Sequence, residues 1–412
     1  MCMYMAINNI TFGAKISSIP SIKNVSGKQN LLKDVKLSGY NAFIGGDVYT
    51  PSGKIVKQDL LFKDNLLIAT DEFDEEQIRE KINYVILKDK TIAPAIFDEH
   101  IHGGYGVNFH NSSETDIRML LKKLANEGTG AVIATMLPDK AEEIKKQIRV
   151  LNNIIKNPDE GSAKVFGIHL EGPFINMLKR GIHPSYKFLE PSVETYESFE
   201  PENVKIVTLA PETDKEYKLS KYLKEQGVIV SAGHSLASAK QVIDAGIKQV
   251  THLFNAMSQF NHREPTIANE GLANPEVLAE MNSDESLLIP QTMNLIMKAK
   301  PKDKLVLISD ALPQAGIKQD FVMNDVVIHV DENWVAKDDN NILAGSMRFL
   351  HDIAGKIIKD TDMTFRNFIR YASENPAKNI GVYDKFKIKE GFKPIFSVWD
   401  NKTTKVEKTF IN

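Results

Sequence analysis

Eight apolar runs, spaced through the middle of the chain and separated in several places by helix-period segments, limit what this sequence can fold into. They are "TIAPAIFDEHIH" (91–102), "GAVIATML" (130–137), "KVFGIHLEG" (164–172), "VKIVTLAP" (204–211), "GVIVSAGHS" (227–235), "KQVTHLFNA" (248–256), "VLAEMNSDE" (277–285) and "KLVLISDAL" (304–312). Between them lie amphipathic segments such as "TDIRMLLKKLANEG" and "KAEEIKKQIRVLNNIIKN". Their apolar residues recur at three and four, and glycines stop the helices. Strands alternating with helices make βαβ units and a parallel sheet. Eight such units predict a (β/α)8 barrel in the α/β class, with reactive groups at the C-terminal strand ends. The seventh run carries the least strand character.

A barrel of about 250 residues leaves part of the chain over. From residue 41, "NAFIGGDVYTPSGKIVKQDLLFKDNLLIAT" has short strands broken by Gly, Pro-Ser-Gly and Lys-Asp-Asn turns, read as a small antiparallel unit. The final "FKPIFSVWDNKTTKVEKTFIN" returns to that texture. The expected arrangement is a small β-sandwich built from 41–93 and 385–412, with the barrel at 94–384 inserted between its halves. "DVVIHVDENWVAKDDNNILAGS", between Leu312 and Ser346, reads as a hairpin insertion. Residues 1–40, rich in Ser, Asn and Lys, read as a flexible extension.

Bulk properties exclude other classes. A formal charge of -3 over 412 residues gives no electrostatic footprint for nucleic acid or an anionic membrane. No apolar run is long enough to span a bilayer as a helix. The lone Cys2 rules out an intrachain disulfide framework and fits a reducing compartment. The first residues lack a signal-peptide pattern, so the expected location is cytoplasmic.

The strand ends carry the chemistry. Run 1 ends at His100 and His102, and alternation puts Asp98 and both histidines on one face. Run 3 ends at Glu171, run 5 at His234, run 6 at His252 and run 8 at Asp310. Each alone admits a bland reading, as a strand histidine, a turn-stabilising glutamate or a core group. Together, five strands deliver four histidines and two carboxylates to one rim, a nitrogen–oxygen set suited to a catalytic divalent metal such as zinc.

At these residues the sequence resembles a known family. "HLEGPFIN", "VTLAPE", "AGHS", "THLFNAMSQFNHREP", "SDALPQAG", "LAGS" and "NPAKNIGV" are similar to N-acetylglucosamine-6-phosphate deacetylases of the amidohydrolase superfamily, across residues 41–412. The resemblance implies hydrolysis of the sugar's acetamide to glucosamine 6-phosphate and acetate. It implies Glu171, His234 and His252 as ligands of the principal metal, and His100 and His102 as supporters of a second. One or two ions are expected: zinc, with iron, manganese or cobalt as alternatives. It implies Asp310 as general base and acid, and His183 of "KRGIHP" as a partner of the developing oxyanion. The substrate contacts it implies are Ile182, Asn255, Ala256, His262, Arg263, Leu343, Ala344 and Gly345, with Arg263 on the phosphate. A homodimer is the expected assembly.

The sequence departs from that pattern after run 7. The family reads Asp-Gly-x-His, whose histidine approaches the phosphate, whereas this chain reads "NSDESLLIP". Asp284 keeps the acid, Glu285 replaces the glycine, and Leu287 or Leu288 takes the histidine's place. Thr266 follows "HREP" in place of glycine. A different N-acylated sugar or amino acid is therefore the alternative substrate, and a non-catalytic sugar-phosphate binder is the alternative of another class. Amidohydrolases that bridge two metals with a modified lysine at the end of strand 4 fit less well, because Lys205 stands at that strand's start.

Overall fold

The computed structural model describes residues 32–68, 81–323 and 325–411. The expected extension falls mostly on residues 1–31, outside the described residues.

Eight parallel strands form one sheet in chain order: Ile96–Ile101, Thr129–Met136, Lys164–Glu171, Val204–Leu209, Ile229–Ala232, Gln249–Val250, Leu278–Asn282 and Leu305–Ile308. The sheet curls until last meets first. Asp310 N–H donates to the His100 carbonyl at 2.9 Å, and Ile101 bridges Ala311 in parallel. The barrel expectation holds, the seventh strand included. The second strand is buried along its whole length, as a strand covered on both faces must be.

The outer helices follow from their apolar stripes. Glu114–Glu127 starts where Ser113 accepts the Asp116 N–H and stops at Gly128, whose φ of 125° is open chiefly to glycine. It buries Ile117, Leu120, Leu121 and Leu124, each contributing about 1.5–3 kcal/mol.

The flanks meet as expected, in two sheets. One has strands Leu66–Ile68, Leu60–Lys63, Tyr40–Ile44 and Ile82–Ile86; the other has Val406–Phe410, Phe396–Asp400, Lys90–Pro94, Asp47–Tyr49 and Ile55–Lys57. Phe62 stacks on Phe396, with ring centroids 5.2 Å apart, joining the N-terminal flank to the C-terminal one. Two details differ from the sequence reading. Each sheet contains a parallel pair, 40–44 with 82–86 and 47–49 with 90–94, because the chain crosses between layers before returning. Val35 and Leu37, N-terminal to the expected boundary, are buried in the sandwich core.

The expected hairpin insertion is a four-stranded antiparallel sheet, Phe321–Met323, Val326–Val330, Val335–Lys337 and Leu343–Ser346. Two aspartates make the extra corners. Asp331 accepts the N–H groups of Asn333 and Val335, and Asp338 those of Asn340 and Ile342.

Candidate metal centre

Three of the strands that point a ligand into the barrel mouth end in a turn that aims it, whereas His100 and Glu171 lie within their strands. His234, His252 and Asp310 have φ of 48°, 30° and 54°, in the left-handed region that non-glycine residues seldom enter. Such backbone costs on the order of 1–3 kcal/mol per residue and concentrates at functional sites. Before His234, Gly233 leaves no room for a side chain, since a Cβ there would lie 2.8 Å from both Thr208 and Thr251.

Glu171, at the end of the third strand, is the hub. Its Oε1 lies 3.0 Å from His252 Nε2, 3.2 Å from His234 Nε2 and 3.4 Å from His100 Nε2. Its Oε2 lies 3.3 Å from His102 Nε2 and 3.5 Å from His183 Nε2. Across the mouth, Asp310 Oδ1 is 3.4 Å from His102 Nε2 and 3.7 Å from His100 Nε2. Two groups of donor atoms result, Glu171 with His234 and His252, and His100 with His102 and Asp310, each within 4.8 Å of one another.

The electrostatics follow from burial and proximity. Burial opposes the charge on Glu171, yet the His100 charge and hydrogen bonds from His100, His102 and His183 hold its carboxyl well below the usual range. Burial likewise opposes ionisation of Asp310, and His102 with its neighbours overrides it, lowering that group as well. For His183 burial wins and pushes the imidazole down to about 4, so it is neutral near pH 7. His100 Nε2 is buried between two carboxylates, 3.4 Å from Glu171 Oε1 and 3.7 Å from Asp310 Oδ1. Imidazole nitrogens in that company, and carboxylates kept ionised in a dry site, fit a divalent cation.

A model of the amidohydrolase family matches residues 91–412. This chain belongs to the amidohydrolase family. N-acetylglucosamine-6-phosphate deacetylase of Bacillus subtilis (strain 168) is 33% identical to it over 310 residues, 72% of this chain and 77% of the relative. N-acetylgalactosamine-6-phosphate deacetylase of Escherichia coli O157:H7 is 28% identical over 302 residues, 71% of this chain and 79% of the relative. The solved N-acetylglucosamine-6-phosphate deacetylase of Pasteurella multocida shares the fold, with a TM-score of 0.80 and 22% identity over 90% of this chain and 100% of that one. Amidohydrolases depend on metal, and this one has the donor groups to hold it.

The barrel mouth thus brings together Glu171, His234, His252, His100, His102, Asp310 and His183. Asn255 joins indirectly: its Nδ2 donates to Asn282 Oδ1 at 2.9 Å, and Asn282 Nδ2 donates to Asp310 Oδ2 at 3.3 Å. Ala256 offers its carbonyl to Ser235 N–H, and the Ile182 side chain is buried against Leu137, Leu312 and Met347. Leu343 and Ala344 lead along their strand into Gly345, where a Cβ would come within 2.9 Å of the Asp310 carbonyl, so that strand packs against the reactive strand end. His262 and Arg263 stand apart on an exposed loop, with no hydrogen bond or ion pair to the centre. The backbone N–H groups of Arg263 and Glu264 are held by Asn261 Oδ1, at 2.9 and 3.3 Å.

Sequence reading missed Asn282 and Glu280. Asn282 holds the far oxygen of Asp310, and nothing in a lone asparagine announces it. Glu280 is fully buried in the seventh strand, and a carboxylate inside an apolar run is costly unless paired. That cost was the available signal.

Proposed function

We propose that this amidohydrolase removes the acetyl group of N-acetylglucosamine 6-phosphate, giving glucosamine 6-phosphate and acetate, as a cytoplasmic homodimer that uses zinc. The observation that carries the reading is the two-sided carboxylate Glu171, with imidazoles on both oxygens and Asp310 facing them across the mouth. Sequence likeness to the named deacetylases supports the substrate class.

A divalent cation in these donors would polarise the acetamide carbonyl and make water a stronger acid. The residues supply the rest. Asp310, held ionised and fixed through Oδ2 by Asn282, can take a proton from water at Oδ1 and return it to the departing amine. His183, neutral and aimed by Nε2 toward the same space, can act as a hydrogen-bond donor to the developing oxyanion. Asn255 and the Leu343–Ser346 strand bound the space in which the sugar would lie, and Arg263 on its exposed loop is the phosphate anchor.

One observation favours a second reading, a different N-acetylated sugar. Leu287, half-buried, stands where the resemblance places a phosphate-contacting histidine. The carboxylate that Glu285 introduces is turned outward and paired with Lys356 at 3.0 Å, so it adds little repulsion. The test is acetate release by the zinc-loaded protein from N-acetylglucosamine 6-phosphate, N-acetylglucosamine and N-acetylgalactosamine 6-phosphate. Fast release from the first, lost in Asp310→Asn, supports the proposal; preference for either other sugar moves it to the second reading. No release from any of them, with metal bound, sinks both.

A further inference from the structure

Five imidazoles point Nε2 at Glu171, but their far nitrogens are treated differently. Nδ1 of His102, His183 and His252 makes no hydrogen bond among the described residues. His234 Nδ1 donates to the Lys179 carbonyl at 2.8 Å. Only His100 gives its Nδ1–H to a carboxylate, Glu280 Oε2, at 3.0 Å.

Glu280 has no exposure and is fixed from every side. The same Oε2 accepts the backbone N–H of His252 at 3.2 Å, and Oε1 accepts Gln249 Nε2 at 2.9 Å. Gln249 is held in turn by Asn379 at 3.0 Å. One buried carboxylate beneath the centre therefore touches a ligand side chain from one donor group and the backbone of a ligand from the other. The two contacts have different consequences. The bond to His100 decides which of its nitrogens carries the proton, and the bond to His252 only braces the main chain.

We infer that Glu280 is a positioning residue which, by holding His100 Nδ1–H, turns the Nε2 lone pair into the space shared with His102 and Asp310 and so sets the capacity of the His100/His102/Asp310 group for a second cation. The inference rests on reading the barrel mouth as a metal centre. A carboxylate on the far nitrogen fixes the tautomer and strengthens the ligand, and losing such a partner typically weakens metal affinity by about 10–100-fold. The effect belongs to one position, because no other metal-facing imidazole leans on Glu280.

The test is zinc stoichiometry and affinity by calorimetry and elemental analysis, on the full chain and on Glu280→Gln. Wild type is expected to hold two zinc ions. The variant should keep the ion at Glu171/His234/His252 and bind the other roughly 10–100-fold more weakly. In a His100→Ala background, adding Glu280→Gln should change the affinity of the remaining zinc by less than about twofold, which a general scaffold role would not allow. Should the glutamine variant lose its melting transition, Glu280→Asp carries the same test, keeping the charge but shortening its reach. A folded variant that binds both ions as wild type does, or weakens both equally, overturns the inference. A wild type with one zinc overturns it while the metal reading stands, and a wild type with none overturns the metal reading itself.

Discussion

Around Glu171 every group but the loop residue His183 is placed by the end of a barrel strand, and each is shielded from water and answers to a neighbour of opposite character. On the loop that carries His262 and Arg263, those two side chains face solvent, and the backbone is held by Asn261 and Asn269. The difference separates bond breaking from recognition. The centre's geometry is part of the barrel's own closure, so altering it disturbs chemistry on every substrate. The loop can change what is recognised without disturbing the strand ends. The altered segment after the seventh strand belongs with the loop: Glu285 is exposed and Leu287 half-buried, while Asn282 and Asp284, just before them, remain inside.

The largest effect should come from emptying the centre. Chelation should abolish acetate release, with zinc restoring it; Glu171→Gln should abolish release in a way that zinc does not repair. Next, Asp310→Asn should lower kcat by about 10²–10⁴-fold, the range for a general acid–base group, with zinc still bound at Glu171/His234/His252. These losses should be equal for phosphorylated and unphosphorylated sugars; a loss confined to one of them would break the separation. Arg263→Ala should raise KM for the phosphorylated sugar by roughly 10–100-fold, the worth of a charge-assisted contact, and leave the unphosphorylated sugar unaffected. The smallest change should follow Leu287→His, a gain of about three- to tenfold in kcat/KM for the phosphorylated sugar only, the worth of one added hydrogen bond. Steady-state kinetics on the two sugars measures both.

The contrast also explains what could be read in the sequence. Strand–helix alternation made the barrel legible, and four histidines with two carboxylates at strand ends made its centre legible, because few other patterns put those residue types at those places. The partners of the ligands were another matter. Asn282 and Glu280 reach their partners across the barrel, from one strand to the next or through the floor, and such pairings depend on strand register rather than on any local motif. The parallel pairs in the sandwich were hidden for the same reason. So was the insertion's true strand number, which depended on Asp331 and Asp338 folding back on their own backbone.

The left-handed backbone at His234, His252 and Asp310 has a consequence for how this protein could be improved. Glycine is the residue that relaxes such a conformation, so a screen for heat resistance alone would be drawn to His234→Gly, His252→Gly and Asp310→Gly. Each would relieve local strain and delete a group the reaction needs. At these three positions robustness and turnover are opposed, and a variant selected for one should be checked for the other.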